Sequence, residues 1–560
     1  MTSQIVRGHP STMGDDYPLN TTTIIRHAAR THGDQDIVYR QPGGGWDRYT
    51  YANCYQRVRR AANALRSLGV EPGDRVGVLD WNSRRHFELY WAIPGLAAVM
   101  LQMNLRLAAE DLAYVVEHSG ASFIAVDESL LPVAESLAPR VTGVKGWIVL
   151  TDTPLDQIDT SLAPVHHYED LLATAAPEID WPVIDERSAY SACYTTGTTG
   201  RPKGVYYSHR AIYLHALAEA ATLGMTLDDT TMLITPMFHA QCWGLPQSVA
   251  LTGGKLVLPG RYTADDTGPL ITAMIDEQVT IANGAPVIFQ PMLDYLRAHD
   301  LHPDFRRTRL LAGSAEPPLS LMRGFHDTTG ADILHGYGAT ETTPLIAVNR
   351  WKPALHHHLN TDELWDLRRK QGLPLTGVDI VLRDAHGQDL PHDGTSVGEV
   401  CVRGPWITAA YHELPDSGDR FTADGYWRSG DAGTIDEHGY LKLTDRMKDV
   451  IKSGGEWISS IDMENALAAH PAVAEAAVVG VPHPKWQERA LALVVVAPGG
   501  KLTEDDVRDH LASRFASWQL PESVLFVDEI ARTSVGKIDK KRLRSRYHDL
   551  YATATGRTDD

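Results

Sequence analysis

Short apolar runs alternate with amphipathic stretches from Thr21 to Ile333, behind a loose polar arm of residues 1–20. Two amphipathic helical patterns between Thr21 and Gly69 flank a short strand and a turn at Gly43–Gly45. Arg75–Asp80 predicts a buried strand, followed by a helix from Arg84 towards Ala92. Ser122–Val126 and Trp147–Leu150 repeat the strand signal, and Leu256–Leu258, Val279–Ala282 and Arg309–Leu311 continue it, with a helix predicted over Ala211–Ala221. Strands and helices in this alternation predict an α/β domain on a largely parallel sheet.

The pattern then changes twice. Gly377–Trp406 reads as short alternating strands with Gly/Asp turns, which predicts a β-rich subdomain. Composition shifts again near Thr444–Gly455; beyond it Ala472–Val481, Leu491–Val496, a helix over Thr503–Phe515, and Ser523–Asp528 predict a small α+β domain. His356–Arg369 opens with three adjacent histidines. Sequence neighbours rarely share one helix face, so a solvated helix or loop is expected there rather than a metal site. A chain of 560 residues is too long for one compact core. The fold class expected is α/β: residues 1–445 as a large N-terminal domain of α/β sheets plus the β-rich subdomain, and residues 446–560 as a small α+β C-terminal domain.

Composition narrows the function classes. A formal net charge of −19 argues against a nucleic-acid surface, while leaving room for local basic groups that hold an anion. The four cysteines, Cys54, Cys193, Cys242 and Cys401, are widely spaced and form no Cys-x-x-Cys, so neither a disulfide framework nor a zinc site is expected. Met1–Pro18 lacks the apolar core of a secretion signal, and nothing approaches the ~20 apolar residues of a membrane span. A cytoplasmic protein is the expectation.

The densest chemical signal is Tyr194–Val205, where four threonines, three glycines and Lys203 follow an apolar segment. Thr195, Thr196, Gly197, Thr198, Thr199, Gly200 and Lys203 offer backbone N–H groups, hydroxyls and one ammonium, a concave site suited to polyphosphate. The Gly-x-x-x-x-Gly-Lys-Ser/Thr loop is absent, which counts against a kinase or nucleotide hydrolase. Six further stretches follow: Pro236–Gly244, Ala312–Pro317, His335–Thr342, Tyr426–Asp431, Thr444–Ser459 and Arg532–Lys540. Singly, each has an ordinary reading. A Phe-His pair beside a tryptophan is more often core than site, Gly-Tyr-Gly is a turn, and a charged run is a linker.

In this order and spacing, the seven stretches resemble the adenylate-forming superfamily, and within it the bacterial medium- and long-chain fatty-acyl-CoA ligases, over Thr21–Arg544. The resemblance implies ATP-dependent conversion of a carboxylic acid to an acyl-adenylate with loss of pyrophosphate, then thioester formation with CoA, with ATP, Mg²⁺ and CoA as cofactors. It implies that the threonine-rich loop closes over the β- and γ-phosphates and that Thr195 and Glu341 hold magnesium. Gly313, Ser314, Ala315, Glu316, His335, Gly336, Tyr337, Gly338, Ala339 and Thr340 would surround adenine and the α-phosphate, with Tyr337 as the aromatic face. Asp431 and Arg446 match the ribose contacts, His239 the residue nearest the substrate carboxylate, and Trp243 the gate of an acid tunnel. Lys537 matches the lysine that reaches from the C-terminal domain to the carboxylate and α-phosphate. Lys448 matches the hinge about which that mobile domain turns, and Lys452, Gly454, Gly455 and Trp457 belong to the segment that turns inward for the pantetheine arm. Relatives often pair through their N-terminal domains, so a homodimer belongs to the same expectation.

Gln241, Cys242 and Asn283, with Gly284 beside it, fall where small or apolar residues would suit an alkyl tail. A buried amide without a partner is costly. Either these groups meet a polar, hydroxylated, amino-bearing or aromatic acid, or they satisfy backbone groups nearby. The acceptor is also open: a carrier protein or an amine could replace CoA, and a non-catalytic nucleotide-binding relative is the remaining alternative. The likeness of Lys452–Ser460 and His483–Arg489 to fatty-acyl-CoA ligases favours CoA.

Overall fold

The structure, a computed structural model, describes residues 6, 8–14, 16–195, 201–356, 358–415, 417–447, 449–453, 456–532 and 538–551. Two large sheets form its N-terminal part. One runs Val165–His167, Gly146–Leu150, Ala121–Asp127, Arg75–Leu79, Val99–Gln102, Ala189–Tyr194, Gly204–Ser208, all parallel except the last pair. The other runs Leu373–Pro374, Leu345–Val348, Asp332–Gly338, Arg309–Ala312, Ile281–Gly284, Thr230–Leu233, Lys255–Leu258, Asp36–Arg40, Trp46–Thr50, with a parallel centre and antiparallel margins.

The apolar runs of the sequence became these strands because each is buried on both faces, as Arg75–Leu79, Val99–Gln102 and Gly146–Leu150 illustrate. The strand at Trp46–Thr50 has no apolar run; it is half-exposed and pairs with Asp36–Arg40 as the second arm of a hairpin through residues 41–45. The helix Thr361–Arg369 is not merely solvated. Leu367 is buried, and Arg369 pairs with the half-buried Glu316.

Antiparallel strands Asp379–Arg383, Gly398–Arg403, Trp427–Ile435 and Leu441–Arg446 make the expected β-rich subdomain. After Arg446, a separate five-stranded sheet of Glu456–Ile458, Ile451–Ser453, Gln487–Val496, Val473–His483 and Ser523–Phe526 carries the helices Ser460–Ala468, Glu504–Ala512 and Lys540–Tyr547 around cores of its own. It meets the preceding part through Asn465, which donates to Glu316 at 3.0 Å, and through Asp462, which accepts from Lys442 at 3.1 Å. Among the described residues no helix is long and apolar enough to cross a membrane.

One seam between the two large sheets centres on Asn82. Asn82, just past the Arg75–Leu79 strand, donates to the carbonyls of Leu233 (2.6 Å) and Thr235 (2.9 Å) and accepts from the Met237 N–H at 2.8 Å. Tyr90 adds a bond to the Met237 carbonyl at 2.6 Å. Leaving buried backbone groups unpaired costs about 1–3 kcal/mol each. Asn82→Ala is therefore expected to lower the unfolding free energy by about 2–4 kcal/mol, read from the urea midpoint; an unmoved midpoint would show that the seam does not depend on this side chain.

Candidate functional site

Parallel strands present a ligand-binding crevice at their carboxyl ends, and the second sheet ends there in glycines. Ile281–Gly284, Arg309–Ala312 and Asp332–Gly338 run side by side, so Gly284, Gly313 and Gly336 share one edge. The Gly313 N–H donates to the Gly284 carbonyl at 3.2 Å. A side chain at Gly313 would put its Cβ 2.9 Å from the indole of Trp243, and one at Gly338 would collide with the Pro344 carbonyl. These two positions need glycine because a ring and a backbone come that close.

Around this edge the structure gathers the candidate charges. Tyr337, almost fully buried, donates its hydroxyl to Asp431 Oδ2 at 2.6 Å, and Arg446 pairs with Asp431 Oδ1 at 2.7 Å. Burial, reinforced by the Asp431 charge, holds the Tyr337 phenol well above its usual range. Asp431, followed first by burial that opposes it, keeps the Arg446 guanidinium raised. A carboxylate has about four lone-pair sites, so Asp431 keeps acceptor capacity towards a ribose with both oxygens already engaged.

Glu341 is held by the Tyr411 hydroxyl at 2.7 Å, and its backbone carbonyl accepts from the Thr408 N–H at 2.8 Å. The neighbouring Thr340 carbonyl accepts from the Tyr207 hydroxyl at 2.6 Å. Thr195 and Lys203 close the base of the threonine-rich loop: the Lys203 N–H donates to Thr195 Oγ1 at 3.1 Å, and the Thr195 N–H to the Lys203 carbonyl at 3.0 Å. The Lys203 ammonium lies 4.9 Å from the centre of the Tyr411 ring. Burial and the nearby Arg420 lower its pKa, while Glu341 opposes them. Thus Lys203 and Glu341 both lie against Tyr411, with Thr195 bonded to the Lys203 backbone, although Tyr411 and Tyr207 carry no motif and sequence reasoning missed both.

One carboxylate with a hydroxyl suits magnesium, which takes few protein oxygens and relies on substrate phosphates for the rest. The donor set fits: Glu341 Oε1 is fixed by Tyr411, and among the described residues no group of three or more histidine, cysteine or acidic side chains forms a closed cage.

The other candidates are placed as follows. Glu316 pairs with Arg369 at 2.7 Å and Asn465 at 3.0 Å, and His335 Nδ1 bonds the Arg369 carbonyl at 2.8 Å, with burial pushing its pKa down to about 4. Ser314, beside Ala315, has a left-handed φ of 70°. His239 heads the turn that continues through Gln241, Cys242 and Trp243. The Gln241 amide donates to Ser191 Oγ at 2.5 Å, while its Oε1 is buried with no partner among the described residues; Cys242 Sγ donates to the Thr235 carbonyl at 3.0 Å. Lys452 is exposed and its N–H bonds Glu488 at 2.9 Å; Trp457 lies opposite it in the strand pair. Thr196, Gly197, Thr198, Thr199, Gly200, Lys448, Gly454, Gly455 and Lys537 lie outside the described residues.

Residues 25–412 match the family described as AMP-binding enzyme, and residues 462–537 the AMP-binding enzyme C-terminal domain. The chain belongs to the AMP-binding enzyme family. A long-chain-fatty-acid–CoA ligase of Thermus thermophilus is 41% identical over 99% of this chain and 100% of its own. A 3-methylmercaptopropionyl-CoA ligase of Ruegeria lacuscaerulensis is 38% identical over 95% of this chain and 98% of its own. Among solved structures, ATP-bound MatB from Rhodopseudomonas palustris superposes with a TM-score of 0.79 at 25% identity, covering 95% of this chain and 100% of that one.

One buried acid in this AMP-binding enzyme lies behind the turn. Glu219 accepts from Ser248 Oγ at 2.6 Å and is fully buried, which raises its pKa from 4.5 to about 8. A raised carboxyl pKa favours the protonated folded state. Its stabilising contribution is complete below about pH 4.5 and is lost as pH rises through about 8. Glu219→Gln keeps the acceptor without the charge, so the wild type is expected to lose melting temperature relative to this variant between pH 6 and 9. Parallel pH profiles would contradict it.

Proposed function

We propose that this chain is an AMP-forming acid–thiol ligase: it joins a carboxylic acid to AMP from ATP, releases pyrophosphate, and transfers the acyl group to CoA. The observation that carries this reading is that Tyr411 touches both Glu341 and Lys203, that the Lys203 backbone is bonded to Thr195, and that Tyr337, bonded to the Asp431–Arg446 pair, lies on the strand leading into Glu341. Membership in the AMP-binding enzyme family supports the nucleotide half, and the full-length CoA ligase relatives support the acid and thiol half.

The carboxylate and the α-phosphate repel one another, so the site must supply positive charge and fixed donors. Thr195 and Glu341 would hold magnesium, which supplies charge to the phosphate oxygens when bound. Lys203 faces the same oxygens. Tyr337 gives adenine a flat face, and Asp431, braced by Arg446, receives the ribose hydroxyls. Lys537 completes the charge from the C-terminal domain, residues 446–560, which turns about Lys448 and so brings Gly454 and Gly455 inward for the thiol; these roles rest on the resemblance of Thr444–Ser459 and Arg532–Lys540.

For the acid, the unpartnered Gln241 Oε1 favours an acyl group with a hydrogen-bond donor, a hydroxyl or an amine, over a plain alkyl chain.

Three experiments test this reading. A panel of alkyl, hydroxylated, amino-bearing and aromatic acids with ATP, magnesium and CoA, analysed by mass spectrometry, is expected to give AMP, pyrophosphate and an acyl-CoA. ADP, or no thioester from any acid, would refute the activity. Gln241→Leu is expected to shift preference from the donor-bearing acid to its alkyl counterpart by about tenfold, the worth of one hydrogen bond of about 1.4 kcal/mol; unchanged preference rejects the Gln241 role. Separately, Lys537→Ala should abolish acid-dependent pyrophosphate exchange yet spare thioester formation from supplied acyl-adenylate, and equal loss of both would reject the assignment.

A further inference from the structure

The segment Ala240–Trp243 takes a conformation that its sequence does not favour. Ala240, Gln241, Cys242 and Trp243 have φ of 44°, 59°, 51° and 63°, four successive non-glycine residues in the left-handed region. The region costs an L-residue roughly 1–2 kcal/mol, and such a run persists only where the surroundings over-determine it.

Asn283 provides that determination. It sits in the strand Ile281–Gly284, fully buried, one residue before the glycine edge. Its Oδ1 accepts from the N–H groups of Ile234 (3.1 Å) and Thr235 (3.2 Å), and its Nδ2 donates to the Cys242 carbonyl at 3.0 Å. One carboxamide thereby ties the end of the strand Thr230–Leu233 to the third left-handed residue. With both ends of the amide engaged by backbone, Asn283 has no free donor for a substrate beyond the contact of Nδ2 with Cys242 Sγ at 3.3 Å.

The tied carbonyl belongs to the peptide that leads directly into Trp243. That indole is 7% exposed and lies across Gly313, on the glycine edge that ends beside Tyr337. Where the Cys242 carbonyl is held decides where the indole lies, and where the indole lies decides how much of the edge is open.

We propose that Asn283 is a positioning residue for the acid: by clamping the left-handed turn it holds the Trp243 indole against Gly313 and so sets access to the glycine-lined edge. The access half of this inference rests on the ligase reading above, whereas the clamp does not.

The test therefore has two arms. In the first, Trp243 is isolated as the difference in acrylamide quenching between each protein and its Trp243→Phe counterpart, with no turnover involved. The indole is expected to be shielded when Asn283 is present and to become at least threefold more quenchable in Asn283→Ala. Asn283→Asp, which keeps the acceptor and loses the donor to Cys242, is expected to shift it in the same direction and carries the test should the alanine variant fail to fold. Unchanged quenching in a folded variant overturns the clamp.

The second arm uses the acid of the panel that yields most acyl-CoA. Asn283→Ala is expected to change the KM for that acid at least fivefold and the KM for ATP less than twofold. In a Trp243→Ala background the same substitution should change the acid KM less than twofold, because the two act in series. Additive effects, or equal changes in both KM values, overturn the positioning role. Failure of the wild type to turn over any acid refutes the ligase reading and leaves the quenching arm to decide the clamp.

Discussion

Two buried carboxamides hold the segment from Leu233 to Cys242 between the two large sheets. Asn82 reaches it from the first sheet and Asn283 from the second, and together they satisfy backbone groups of Leu233, Ile234, Thr235, Met237 and Cys242. Buried backbone groups must find partners, and an irregular segment at a seam has no ladder to supply them. An asparagine offers a donor and an acceptor on one short, stiff side chain, so a single residue can serve two strands of chain. The third residue of the left-handed turn, and with it the peptide leading into Trp243, is held by this bracing.

The charged part of the site obeys a related rule. Two acidic groups of the site are fixed by tyrosines: Glu341 by Tyr411, and Asp431 by Tyr337. The Tyr411 hydroxyl orients Glu341 without neutralising it, whereas Asp431 is also paired with Arg446, and the charge of Lys203 is left to face an anion. A chain with a net charge of −19 thus concentrates a few cations where phosphates are expected, instead of spreading a basic surface.

Much of this was legible in the sequence, for identifiable reasons. Strands buried on both faces announce themselves as apolar runs, so Arg75–Leu79, Gly146–Leu150 and Lys255–Leu258 were visible, whereas the half-exposed Trp46–Thr50 was not. The order of the glycine-bearing stretches pointed to the edge at Gly313, Gly336 and Gly338, because close approach leaves a compositional mark. Tyr411, Tyr207, Asn82 and Ser191 left none; their partners lie between 50 and 155 residues away, and ordinary residues acting at long range have no local signature. Asn283 was visible as an anomaly among apolar neighbours. The sequence left open whether it faced a substrate or the backbone, and its bonds to Ile234, Thr235 and Cys242 are to the backbone. The helix Thr361–Arg369 looked solvated because its charge hid the pairing of Arg369 with Glu316.

Native-state hydrogen exchange at the seam tests the bracing most directly. If the two carboxamides hold the segment, the amide protons of Ile234, Thr235 and Met237 exchange as slowly as those of the central strand residues Met232 and Ala282, through global unfolding alone. Exchange of these three protons at the rate of an exposed loop, while Met232 and Ala282 stay protected, would contradict the account.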